Sequence, residues 1–147
     1  MDQSLLLVTI AGERAAIDSK RIQSVVELEN VTSVPRAPVH VPGLAALRSR
    51  AMTVIDCRRS LELAPADRDP CEAPLAVVVE LDEYLYALVV DQVEEVVAFE
   101  GAPVAIRANL LPGWTRATLG MVETSAGPAL LLDPAELVAG PPQPLAA

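Results

Sequence analysis

Arginine carries the most concentrated chemistry in this chain. Arg36, Arg48, Arg50, Arg58 and Arg59 fall between Val31 and Arg59, interleaved with Pro35, Pro38 and Pro42 and an apolar run. A guanidinium fork binds carboxylates and backbone carbonyls in a fixed planar geometry, and arginine is enriched at protein interfaces. The cluster therefore reads either as a docking surface or as a charged face that keeps a sheet edge from aggregating. Catalytic chemistry is harder to assemble. His40 is the single histidine and lies between Val39 and Val41 in a proline-rich stretch, without the Gly-x-Ser-x-Gly of a nucleophile elbow. The carboxylate pairs Asp82/Glu83 and Glu94/Glu95 are sequence neighbours, whose side chains diverge in a strand and cannot converge on one bond. Cys57 and Cys71 lack the CxxC spacing of a zinc site, and no Gly-rich phosphate-binding motif is present. The sequence thus predicts no catalytic residues, no cofactor and no metal.

The charge distribution supports docking. Residues 1–59 hold eight Lys/Arg against six Asp/Glu, net +2, whereas residues 60–147 hold three against fourteen, net −11. Such asymmetry in a chain of net charge −9 marks an interaction surface, and the acidic remainder would repel nucleic acid. Apolar residues make up 52% of the chain, enough for a packed interior, and nearly all are aliphatic. Tyr84, Tyr86, Phe99 and Trp114 are the only aromatics, too few for a base-stacking platform. No apolar run reaches the roughly 20 residues needed to span a bilayer. With no basic, apolar leader after Met1 the expectation is a soluble cytoplasmic protein with reduced thiols.

The elements that must position the arginines are short strands. Leu5–Ile10 and Ala15–Asp18 flank a turn at 11–14, and Ala51–Asp56 is a strand running into a helical turn over Cys57–Leu63. After Asp18-Ser19, a potential helix cap, the segment ending at Leu28 reads equally as helix or strand. The prolines make 35–42 an ordered loop, and Ala64–Pro74 is a second, polar loop. Leu75–Leu81 and Tyr84–Val90 form the clearest hairpin, apolar at successive positions and hence buried on both faces. Val93–Phe99 is a further strand with Glu94 and Glu95 near an edge. Leu119–Val122 and Ala129–Leu132 make another hairpin, and Asp133-Pro134 caps a short terminal helix. Many short strands with frequent turns predict an all-β protein built from small barrels.

The Val31–Arg58 run resembles the signature of the CheW-like adaptor family of bacterial chemotaxis, approximately V-T-x-I/V-P-x-x-P-x-x-I/V-x-G-V-x-N-L-R-G-x-x-x-P-V-I/V-D-L-R. Val31, Thr32, Val34, Pro35, Pro38, Val41, Gly43, Leu44, Leu47, Arg48, Val54, Ile55, Asp56 and Arg58 match in register. Residues 5–28, 75–97 and 118–138 resemble the family's opening, central and closing hairpins. The chain departs from the pattern at Ala46, Ser49 and Thr53, where the family has Asn, Gly and Pro.

The resemblance implies two SH3-like five-stranded barrels, packed together as one intertwined domain over residues 4–140, with 141–147 a frayed tail. It implies a non-enzymatic scaffold that joins the cytoplasmic tips of methyl-accepting chemoreceptors to the regulatory domain of a CheA-type histidine kinase, at membrane-associated arrays and without insertion into the membrane. The receptor tip would lie between the barrels, and the barrel ends would dock on the kinase. Arg48, Val31, Val34, Val41, Gly43, Leu44, Arg50 and Arg58 are the candidate partner-binding residues. Arg48 is the first of these, either at the interface or as a brace inside the Pro35–Pro42 loop. A divergent adaptor or decoy serving another kinase, and a small ligand-binding barrel, are the rival readings.

Overall fold

Strands that are apolar at every position can only be buried on both faces, and that constraint organises this molecule. In the computed structural model, which describes residues 3–64, 73–99, 103–106 and 109–141, two five-stranded sheets enclose three layers of side chains. The first sheet holds β1 (Gln3–Ile10), β2 (Glu13–Asp18), β8 (Gln92–Phe99), β9 (Thr118–Thr124) and β10 (Gly127–Leu132), in the order β8-β1-β2-β10-β9. The second holds β3 (Ile22–Glu27), β4 (Gly43–Leu47), β5 (Arg50–Asp56), β6 (Leu75–Leu81) and β7 (Tyr84–Val90), in the order β3-β6-β7-β5-β4. The second sheet is therefore one continuous stretch of chain inserted between the two halves of the first.

Alternation distributes each strand between two cores. Leu5 and Leu7 of β1 face the interior of the first sheet, with Val97, Phe99 and Val122. Leu6, Val8 and Ile10 face the layer shared by both sheets, with Ile55, Trp114, Leu132 and Leu137. On β6 and β7, Val77, Val79, Leu88 and Val90 enter that shared layer, while Ala76, Val78, Leu85 and Ala87 enter the interior of the second sheet. The sequence expectation of doubly buried strands holds, as does the all-β fold.

Three hairpins close with two-residue turns in which both central residues have positive φ: Ala11-Gly12, Arg48-Ser49 and Asp82-Glu83. Such turns match the right-handed twist of the flanking strands. The ambiguous segment after Asp18 resolves as a strand. Asp18 accepts from the Lys20 amide at 3.0 Å and caps a 3₁₀ turn over Ser19–Arg21, after which β3 begins. Three helices complete the fold among the described residues. The helical turn expected after Cys57 is α1 (Cys57–Ser60), which Asp56 caps, and α3 (Pro134–Ala139) is capped by Asp133 as its sequence predicts. The strand β4 and the helix α2 (Pro112–Ala117) were not anticipated. Most of the 64–74 loop, Cys71 and the tail beyond 141 lie outside the described residues.

Candidate partner-docking surface

The signature residues fall on β4 and β5, at one edge of the second sheet, on the turn that follows and on the loop strapped to that edge, and their roles divide. Gly43 opens β4 and is buried; its backbone lies against Thr32, and Leu44 and Thr32 exchange two hydrogen bonds of 2.8 Å. This bridge straps the proline loop to the sheet and leaves Val31, Val34, Val39 and Leu44 exposed, Val39 at 68%. Val41 packs inward against the shared core. His40 is buried too, with Nε2 at 2.9 Å from the Val138 carbonyl oxygen, and its own carbonyl accepts from the Asp56 amide. It ties the loop to α3.

The five arginines do not act as one patch. Arg48 sits at the tip of the β4–β5 hairpin, exposed, with no hydrogen bond or ion pair among the described residues. It does not brace the proline loop from within. Arg50, on the same tip, donates to the Glu83 carbonyl at 3.3 Å and lies 4.0 Å from Glu80, an open ion pair of small energetic weight. Arg58 points inward. Its Nε and Nη2 donate to Asp91 at 3.1 and 2.6 Å, a bidentate pair whose side chains are only 24% and 20% exposed. The hydrogen bond to Asp91 raises the Arg58 pKa above its ordinary value, against the opposing effect of burial. Asp91 is the residue at which the chain crosses from β7 back to β8, and it also accepts from the Ala11 amide at 2.7 Å. Arg58 is thus committed to the joint between the two sheets.

A second joint was not foreseen. Arg116 of α2 donates to the Ser60 carbonyl at 2.8 Å and reaches Glu136 at 3.6 Å, linking all three helices. The nearby thiol of Cys57 is fully buried; desolvation, then the charges of Asp56 and Asp91, push its pKa far above the usual thiol range. Such a thiol is inert as a nucleophile. Glu94 accepts from Thr9 and Arg14, and Asp82 and Glu83 form a hairpin tip. No cluster of metal-ligating side chains occurs among the described residues, and none of their helices is long and apolar enough to cross a membrane.

Between the β6–β7 hairpin of the second sheet and α3 lies an open groove of about 490 Å³. Both tyrosines, Tyr84 and Tyr86, line it with Arg21, Ala135 and Val138, and Tyr84 is 69% exposed. The sequence read the two aromatics only as strand residues; nothing local showed that α3 would face them.

A family model described as the CheW-like domain matches residues 4–141. This chain belongs to that family. Among individual relatives, the chemotaxis protein CheW of Treponema pallidum (strain Nichols) is 23% identical over 116 residues, covering 76% of this chain and 68% of the relative. In fold, the CheW-like chain is similar to the scaffolding protein TtCheW from Thermoanaerobacter tengcongensis, with a TM-score of 0.78, 19% identity and 90% of each chain covered. The two sheets are accordingly the two SH3-like subdomains of a CheW fold.

Family membership makes the departure at Ser49 testable. Ser49 has φ of 75°, a conformation that disfavours a side chain, and the family's glycine occupies it without that cost. Ser49→Gly is expected to raise stability by roughly 0.5–1 kcal/mol once the greater freedom of glycine in the unfolded chain is subtracted. Urea unfolding will check it; a lower midpoint at unchanged slope would show that the serine contributes something the turn geometry does not explain.

Proposed function

We propose that this chain is a non-enzymatic coupling adaptor that joins chemoreceptor tips to a CheA-type histidine kinase in the cytoplasm. The observation that carries the reading is the match of the CheW-like domain over nearly the whole chain, residues 4–141. Two surfaces agree with it. The loop and hairpin bearing Val31, Val34, Leu44, Arg48 and Arg50 present exposed apolar side chains beside an arginine that has no partner among the described residues, which suits docking on a kinase regulatory domain. The tyrosine-lined groove, with walls from both halves of the molecule, suits a receptor tip. Signal then passes through assembly: a partner bound more tightly in one kinase state shifts the population toward that state.

The test is calorimetric titration against a CheA-type regulatory domain. A micromolar dissociation constant, about −8 kcal/mol, supports the reading. Failure to bind, with the protein shown folded, overturns it. Arg48→Ala is expected to weaken binding by about tenfold, the loss of roughly 1.4 kcal/mol, because an interface arginine commonly anchors more than its contact area suggests. Its melting temperature should stay within about a degree of the parent, since surface substitutions that touch nothing cost under ~0.5 kcal/mol.

A further inference from the structure

The second barrel has an open seam. Its terminal strands β3 and β4 are each paired on one side only, with β6 and β5. Between them run two hollows of about 290 and 200 Å³ that share Leu47 as a common wall. Their floor is the barrel's own core, Leu28, Met52 and Leu85.

Backbone groups face this seam without partners among the described residues. The Leu28 amide donates to the Pro74 carbonyl at 2.8 Å, which places Val26 and Ser24 in the hydrogen-bonded pairs with β6. By alternation, the N–H and C=O of Val25 and Glu27 point away from β6. On β4, Leu44 spends its outward pair on Thr32. Ala46, two residues on, presents the same outward groups with no partner among the described residues. The rim is polarised: Glu27 and Glu29 stand at one end, Arg48 and Arg50 at the other, and among these only Arg50 has an ion-pair partner among the described residues.

We propose that the seam accepts an extended segment of a protein partner as an added strand, with apolar side chains turned to Leu28, Met52 and Leu85. A basic residue of that segment lies at the Glu27/Glu29 end and an acidic residue at the Arg48/Arg50 end. Strand addition satisfies the exposed backbone groups, and the side-chain pockets supply selectivity. The distance from Ser24 to Glu29 is about 17 Å of extended chain, which sets the segment at some six or seven residues. This proposal rests on the adaptor reading for the existence of a protein partner and adds how one is gripped.

The probe is the peptide acetyl-Lys-Val-Thr-Val-Thr-Val-Glu-amide, which puts its valines on one face and its charges at the two ends. The proposal expects it to bind the intact protein and to slow hydrogen exchange of the Val25, Glu27 and Ala46 amides by at least about tenfold. A peptide with serine at both ends should bind several-fold more weakly. Ala46→Pro removes an N–H that the β5 ladder does not use, a position where an edge strand tolerates proline, and should abolish binding. Absence of peptide binding, slowed exchange elsewhere, or equal binding of the serine-ended peptide overturns the proposal; the exchange readout uses the parent chain and so survives misfolding of the variant. The kinase regulatory domain separates the two readings. If it binds the parent and a folded Ala46→Pro equally, the seam proposal falls and the adaptor reading stands. If it does not bind the parent, the adaptor reading falls while the peptide result still decides the seam.

Discussion

Asp91→Ala is expected to lower the unfolding free energy by about 3 kcal/mol, because it strands a partly buried arginine. At the point where the chain passes from the second sheet to the first, Asp91 holds the Arg58 guanidinium by two hydrogen bonds, the Ala11 amide at the β1–β2 turn and, through its own N–H, the Thr9 carbonyl at 3.0 Å. Of these, alanine keeps the last. The guanidinium then remains partly buried without its carboxylate, and the Ala11 amide loses its acceptor. For a domain of this size the melting temperature should fall by roughly 10 °C. A double-mutant cycle identifies the cause. If the penalty comes from the uncompensated charge, Arg58→Met in the Asp91→Ala background should recover at least ~1 kcal/mol, since replacing both partners removes the buried charge. Additive losses would mean that the aspartate acts through the turn amide instead.

Gly43→Ala is expected to cost a similar amount, about 3 kcal/mol, at the upper range for overpacking, because the obstruction is backbone. A Cβ at Gly43 would stand 2.1 Å from the Thr32 carbonyl oxygen and 2.7 Å from its carbon. No rotamer change relieves that contact. Either the Thr32–Leu44 bridge parts or β4 shifts along β5, and both detach the proline loop. Hydrogen exchange at the Thr32 and Leu44 amides should accelerate beyond what the global loss explains, and kinase-domain binding should weaken along with it. Stability within ~1 kcal/mol of the parent would show that the strap is loose. The glycine of the family pattern thus has a physical basis here: two backbones approach too closely for any side chain.

The closing elements and the doubly buried strands were legible because their causes are local. Asp133-Pro134 caps α3 whatever surrounds it, and the apolar runs of β6 and β7 leave no polar face to expose. The same locality explains what was missed. The β4 sequence, Gly43–Leu47, is glycine, alanine and leucine with little strand preference, and it is extended because β5 and Thr32 hold it. Helix α2 has no side-chain cap and carries Gly113 in its interior, so its sequence reads as loop; the glycine is there because the Leu61 carbonyl lies where a side chain would go.

Composition, periodicity and the Val31–Arg58 pattern were sufficient to read an all-β chain resembling the CheW-like family, with five arginines close together in sequence. Only the tertiary structure separated those arginines by role. Arg58 is an internal joint because Asp91 arrives 33 residues later in sequence, whereas Arg48, carried outward at the tip of a two-residue turn, has no hydrogen bond or ion pair among the described residues. The tyrosine groove and the open seam likewise belong to no segment. Each is a gap between elements far apart in the chain, and a gap has no residues of its own from which a sequence could announce it.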